Sequence, residues 1–244
     1  MKSADTMTQG AGTNRTGIAL SQHADQMRQV TGMTHPSADH GALKQAHAFY
    51  LERTHSVGSV PPPGTARGAL KTAWEAVKGN KAIALVDKSA ERLAFERTGV
   101  RLYDALLEKL DVAPAFAGGP EKKAVQTIRD EELEHARMLA DTMEELGADP
   151  TALTPSADLV AVESMGLGTV MGDPRTSVPQ CLHALLVAEL ADNEGWSMLR
   201  SLADEMGQEE LATRFARAEA DEDRHLELVR GWLKAHARAE AEIG

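Results

Sequence analysis

The residues best suited to chemistry are four glutamates and two histidines at repeating spacings. Glu132 and His135 lie in DEELEHARML, and Glu222 and His225 lie in DEDRHLELV. On a helix, side chains three positions apart emerge from one face. Each Glu-x-x-His therefore offers an oxygen and a nitrogen donor to a common point. The faces are otherwise apolar: Val125, Ile128, Ala136 and Leu139 flank the first pair, and Phe215, Ala218, Leu226 and Val229 the second. Two lone glutamates interrupt stripes in the same way, Glu96 beside Leu93, Val100 and Tyr103, and Glu189 beside Leu182, Leu185, Leu186 and Trp196. An unpaired carboxylate in an apolar core costs several kcal/mol even after relaxation, and four of them cannot pair with one another. No lysine or arginine occupies the stripes in compensating number. Two divalent metal ions would match the carboxylates in charge, with neutral imidazoles completing the coordination. Mixed Glu oxygens and His nitrogens suit iron or manganese better than calcium, which takes oxygen, or structural zinc, which is usually rich in Cys and His. One Glu-x-x-His on a charged helix is an ordinary solvated pair more often than a ligand pair. Two copies, each preceded by a lone glutamate and all on apolar stripes, carry far more weight.

Four long segments with apolar residues at three- and four-residue spacing must position this set: roughly 81–111, 121–147, 178–206 and 208–240. Helices of about 30 residues are about 45 Å long, the proportions of a four-helix bundle. The connections DVAPAFAGGP and GQ are short and imply antiparallel neighbours, whereas Ala148 to Ser177 is long enough to be a crossover. The halves also align: Glu96 on Glu189 places Leu93 on Leu186, Tyr103 on Trp196 and Leu106 on Leu199. Three extra residues then bring Glu132-x-x-His135 onto Glu222-x-x-His225, so the chain reads as a duplicated helical hairpin.

Ahead of these segments, residues 1–40 are rich in Gly, Ser, Thr, Asp and Gln without periodicity, a composition that buries too little apolar surface to offset chain ordering. GALKQAHAFYLERT (41–54) predicts a short amphipathic helix, stopped by GSVPPPGT. ARGALKTAWEAVKGNK (66–81) predicts another, ended by Gly79 and Asn80. The expected organisation is an N-terminal extension over 1–65 and a helical domain over 66–244.

A net charge of −11, with basic residues interspersed among acidic ones, argues against nucleic acid as a partner. Cys181 is the single cysteine, which excludes an internal disulfide, a four-thiolate iron site and a Cys-rich zinc site within the chain. The start, MKSADTMTQGAGTNRTG, has no apolar run of a secretory signal, and no window approaches the ~18 apolar residues of a membrane span. A cytoplasmic, non-membrane protein is the expectation. Five histidines, His23, His35, His40, His47 and His55, crowd the first 55 residues at irregular spacing, which favours no shared ligand role. His183 and His236 read as partly exposed helix residues, Cys181 as a small buried hydrophobe, and Trp74 and Trp232 as packing anchors.

Across residues 81–240 the sequence resembles the ferritin-like di-iron superfamily, on the motifs FERTGVRLY, DEELEHARML, LLVAELADNEGW and EADEDRHLEL. The resemblance implies an all-α fold, a ferritin-like four-helix bundle with one long crossover. It makes Glu96 and Glu189 terminal carboxylates, Glu132 and Glu222 bridging carboxylates, and His135 and His225 imidazole ligands. Tyr103 falls where bacterioferritins and their relatives place a tyrosine near the metals, a catalytic position. Glu131 and Asp221, each just before a Glu-x-x-His, stand where relatives place an acid that holds the ligand histidine of the opposite helix. Glu131 could equally be a surface acid, whereas the DEDRH context of Asp221 favours the holding role. Asp192 stands where peroxide-handling rubrerythrins carry an additional ligand, although a simple solvated aspartate is the preferred reading. The implied cofactors are two Fe ions, alternatively Mn or mixed Mn/Fe. Haem is not expected, because Leu133 stands where bacterioferritins put the haem-ligating methionine. A self-contained rubredoxin electron path is missing, so a separate electron donor is implied, and without a fifth helix storage in a 24-subunit cage is not expected. A homodimer is common among relatives.

The functional expectation is an oxidase or peroxidase type of dinuclear protein reacting with dioxygen or peroxide. A ferroxidase or iron-handling protein without cage storage is a neighbouring reading. A metal-free helical scaffold or stress-related interaction protein, with the six residues as relics, is the alternative from another class.

Overall fold

The computed structural model describes residues 29, 41–55, 57–60, 80–113 and 116–242. The described residues are all-α, with no strand among them. Expectations for residues 1–28 and 30–40, the prolines at 61–63, Trp74, and His23, His35 and His40 fall outside them. So does the helix expected over 66–81 up to Gly79, and Asn80 opens a long helix rather than closing a short one. The chain divides into two compact units, Met1–His55 and Ser56–Gly244. Within the first, α1 (Gly41–Arg53) forms as the sequence predicts. Leu43, Phe49, Tyr50 and Leu51 on it are exposed.

Residues 56–244 hold six helices: α2 (Asn80–Val112), α3 (Lys122–Glu145), α4 (Pro155–Glu163), α5 (Met165–Gly172), α6 (Val178–Glu205) and α7 (Glu209–Glu242). The long ones, α2, α3, α6 and α7, span 33, 24, 28 and 34 residues. They contact one another in a closed order, α2 on α3, α3 on α7, α7 on α6 and α6 on α2. Every neighbouring pair is antiparallel. Asp104 meets Arg129 while Glu96 meets His135; Glu131 meets His225 while Glu145 meets Arg214. On the other two contacts, Asn193 meets Asp223 while Arg200 meets Glu219, and Trp196 meets Glu96 while Glu189 meets Tyr103.

Local chemistry sets the ends of these helices. Ser177 and Gln180 form a capping box that starts α6, with Pro179 in the first turn where its missing donor is harmless. Helices α3 and α6 stop at Gly147 (φ 81°) and Gly207 (φ 68°), left-handed positions suited to glycine. In both, the next amide reaches back, Ala148 to the Met143 carbonyl at 2.8 Å and Gln208 to the Ala203 carbonyl at 2.9 Å. The long connection between α3 and α6 carries α4 and α5 along α2. Asp87 on α2 accepts hydrogen bonds from the Ser156 amide at 3.0 Å and its hydroxyl at 2.7 Å. Near the other end, Lys109 Nζ donates to the carbonyls of Asp173 (2.8 Å) and Thr176 (3.1 Å). The connection therefore returns the chain to the far end of α2, which is why α6 runs antiparallel to it. No helix among the described residues is long and apolar enough to cross a membrane.

The buried apolar residues form two clusters. One includes Phe95, Leu102, Leu106, Val125, Ile128, Leu182, Leu185 and Val229; the other includes Leu85, Leu93, Leu139, Met143, Trp196, Leu199 and Phe215. Cys181, fully buried, and Trp232 belong to the first cluster, as their sequence context predicts, whereas His183 is exposed and His236 half-buried. Leu106 is fully buried, so Leu106→Ala should lower the unfolding free energy by about 2–5 kcal/mol in denaturant titration.

Candidate metal centre

Between the two apolar clusters lies a layer of charge. Glu96 on α2, Glu132 and His135 on α3, Glu189 on α6, and Glu222 and His225 on α7 are all buried. Helix α3 shows why: its buried positions Val125, Ile128, Glu132, His135, Leu139 and Thr142 follow one helical stripe, so the stripe that makes the core also turns the Glu-x-x-His inward.

The structure brings all six predicted ligands together. Ligand-capable atoms of Glu132, Glu189, Glu222 and His225 lie within 4.8 Å of one another, as do those of Glu96, His135 and Glu222. Both histidines present Nδ1 to this layer. His225 Nδ1 is 3.2 Å from Glu222 Oε2 and 3.5 Å from Glu132 Oε1; His135 Nδ1 is 2.8 Å from Glu222 Oε1 and 3.5 Å from Glu96 Oε2. The opposite ring nitrogens meet the two acids named from the sequence. His225 Nε2 is 2.8 Å from Glu131 Oε2, and His135 Nε2 is 3.5 Å from Asp221 Oδ2, each across to the other Glu-x-x-His helix. Arg224 ties the two acids together, at 2.9 Å from Glu131 and 2.6 Å from Asp221. An acid accepting from Nε2–H leaves Nδ1 as a lone-pair donor, the tautomer a metal ligand needs.

The lone glutamates are held crosswise. Tyr103 on α2 donates its hydroxyl hydrogen to Glu189 on α6, and Trp196 on α6 donates Nε1–H to Glu96 on α2 at 2.7 Å. The aligned positions Tyr103 and Trp196 thus play matching parts across the duplication. Even so, Glu96 Oε2, Glu132 Oε2 and Glu189 Oε2 are buried without a hydrogen-bond partner, while Glu222 Oε1 and His135 Nδ1 face each other. Such orphaned polar atoms are rare in native cores. Three carboxylate oxygens left so in one layer, beside two imidazoles, form groups that could hold a metal ion.

Asp192 is not solvated: it is 3% exposed, and one of its oxygens lies within 4.8 Å of ligand atoms of Glu96, Glu132 and Glu222. Its counter-ion is Arg92 on α2, also 3% exposed, which donates to the Asp192 carboxylate. Sequence reading missed Arg92, although it lies four residues before Glu96 and hence on the same helical face. Two glycines make room for the layer. A Cβ on Gly99 would come 2.1 Å from Glu132 Oε2, and one on Gly195 would come 2.4 Å from Arg92 Cζ.

The charges shape one another. Burial, then the neighbouring Glu222, pushes Glu189 up to about 8. Burial and the surrounding carboxylates also hold Glu132 and Asp192 well above the usual carboxylate range. Burial would raise Glu222 as well, but His135 and His225 outweigh it and bring it down to about 2. Burial opposes charge on His135, yet hydrogen bonding to Glu222 and Glu96 lifts it to about 11. For Tyr103, burial and then Glu189 keep the phenol protonated, well above its ordinary value of 10.0. No protein-family model, curated protein or solved structure matches the chain.

Two outcomes follow from this geometry. Glu189 binds its proton more tightly folded than unfolded, so the stability it adds to metal-free protein is complete below its ordinary value of 4.5 and is lost as pH rises through about 8, and Glu132 and Asp192, also raised, contribute with the same sign. The contribution of Glu222 has the opposite sign and is lost only as pH falls from 4.5 towards about 2. Chelator-treated protein should therefore melt at a lower temperature at about pH 9 than at about pH 5, and bound metal should reduce that slope. In Gly99→Ala the new methyl meets only the flexible end of Glu132, so the fold should survive with an unchanged circular dichroism spectrum while metal affinity falls about tenfold or more.

Proposed function

We propose that this chain is a dinuclear non-haem metal protein of ferritin-like four-helix-bundle type that reacts with dioxygen or peroxide. The observation that carries the reading is the convergence of buried ligand atoms on Glu96, Glu132, Glu189, Glu222, His135 and His225, with one oxygen each of Glu96, Glu132 and Glu189 left without a hydrogen-bond partner. The closed antiparallel order of α2, α3, α7 and α6, and the crossover through α4 and α5, support the fold part of it.

In this reading Glu96, His135 and Glu222 hold one ion, and Glu132, Glu189, Glu222 and His225 the other. Two iron or manganese ions so held would supply paired electrons and a Lewis acid to a small oxygen-containing substrate. The chain's own residues do the rest. Glu131 and Asp221 orient the imidazoles from outside. Trp196 and Tyr103 each fix one oxygen of a lone glutamate, leaving the second for coordination. Leu93, Leu139, Trp196 and Phe215 on one side, and Phe95, Ile128, Leu185 and Val229 on the other, exclude bulk water, which strengthens every electrostatic contact in the layer. Tyr103, kept neutral, serves as a hydrogen-bond donor that holds the Glu189 carboxylate at the edge of the site.

Protein purified without chelator should carry about two transition-metal ions per chain by elemental analysis, and the Fe(II)-loaded form should consume peroxide or dioxygen. No metal after reconstitution would instead favour a helical scaffold, and a growing mineral would favour iron handling. Glu131→Ala frees the His225 ring, and metal affinity should fall about 10- to 100-fold in a competition assay.

A further inference from the structure

The six ligand side chains are not equally sealed. Glu96, Glu132, Glu189, Glu222 and His225 are at most 2% exposed, and His135 is 6% exposed. Of the side chains bonded to them from outside the layer, Tyr103 and Trp196 are buried, whereas Glu131 and Asp221 are half-buried. Both acids lie where α3 meets α7. The other three contacts are better closed: α2 with α3, and α6 with α7, pack extensively, and α4 and α5 lie over α2, with α5 also on α6. The α3/α7 contact is the sparsest of the four, and α4 and α5 pack elsewhere. The thinnest cover between the layer and solvent is therefore at α3/α7, beside His135.

Arg224 bridges this contact from the exposed side of α7. Its Nη1 and Nη2 donate to Glu131 Oε2 and Oε1 on α3 at 3.0 and 2.9 Å, and Nη2 also donates to Asp221 Oδ1 on α7 at 2.6 Å. One guanidinium thus joins both acids and, through them, both imidazoles, since Glu131 meets His225 Nε2 and Asp221 meets His135 Nε2. Where Glu132 aligns with Glu222, Arg224 aligns with Glu134, an exposed acid, so the duplication supplies this bridge once. A positive charge at this point repels an approaching divalent cation and masks two carboxylates that would otherwise attract one. Exposed guanidinium–carboxylate pairs open readily, so such a bridge slows passage without forbidding it.

We propose that divalent cations reach the carboxylate layer between α3 and α7, past Asp221 and His135, and that Arg224 is the group that closes this route. The proposal rests on the dinuclear reading and adds to it the path of loading and the residue that controls it. When Arg224 swings away, Glu131 and Asp221 become two bare carboxylates at the rim, with His135 next inward. Arg224 then governs how fast ions enter and leave, which separates it from a residue that only orients the imidazoles.

Mn(II) is the probe, mixed rapidly with chelator-treated full-length protein. Uptake is read from loss of the free-ion electron paramagnetic resonance signal, and release from transfer to excess chelator. Arg224→Ala should take up Mn(II) about tenfold faster than the wild type and release it at least as much faster, because the step that opens the route is removed. Arg224→Lys, which keeps the charge but loses the two-pronged bond, should slow uptake again, part of the way to the wild-type rate. Arg238→Ala removes the same charge from an exposed position about 21 Å further along α7, beyond screened reach, and should load at the wild-type rate. Unchanged or slower uptake in Arg224→Ala, with or without faster release, would overturn the proposal while leaving the dinuclear reading intact. So would equal acceleration in Arg238→Ala, or no slowing in Arg224→Lys. A wild type that binds no Mn(II) or Fe(II) would overturn both.

Discussion

A sheet of carboxylates shut away from bulk water, with few cations beside it, is the constraint from which the rest of this molecule follows. Glu96, Glu132, Glu189 and Glu222 are at most 2% exposed, and they split the apolar interior into two clusters that do not merge across them. Left alone, such a layer would be stabler as leucine and methionine, as replacements of buried ion pairs in other proteins demonstrate. The chain instead surrounds it with hydrogen-bond donors that each satisfy one oxygen, Tyr103 for Glu189 and Trp196 for Glu96, and leaves the second oxygen of each bare. Partial satisfaction in a core is a large local destabilisation unless a ligand completes it.

The supporting structure is organised around that layer. Four long antiparallel helices each contribute one carboxylate at the same level, and α4 and α5 exist to bring the chain back along α2 so that α6 enters in the required direction. Duplication gives the layer its near symmetry, with a Glu-x-x-His on α3 and another on α7, and an acid of each holding the imidazole of the other. One departure from symmetry lies at Arg92, Asp192 and Gly195, which stand opposite Leu185, Gly99 and Leu102 in the aligned halves. The same close packing makes Gly99 and Gly195 positions where a single methyl would collide with the site rather than with the backbone.

Much of this was legible in the sequence because helical periodicity marks both the elements and the inward-facing ligands. The segments expected over 81–111, 121–147, 178–206 and 208–240 match α2, α3, α6 and α7 to within two residues at each end. The six glutamates and histidines were found because a charged residue on an apolar stripe is conspicuous. Other features depend on partners distant in the chain. Asp192 looks like a solvated aspartate until Arg92, 100 residues earlier, is placed against it. Helices α4 and α5, of nine and eight residues, are too short to show a period and read only as a connection. For α1 the sequence predicted the helix correctly, and its apolar residues are exposed among the described residues.

The central claim is that this carboxylate layer is completed by a pair of transition-metal ions. Anomalous diffraction from crystals of the protein, recorded at the iron and manganese absorption edges, tests it most directly. The account predicts two peaks per chain, about 3.5–4 Å apart, lying between Glu132 and Glu222 with His135 and His225 Nδ1 as ligands. A layer without peaks in metal-loaded crystals, or peaks confined to surface acids, would contradict it.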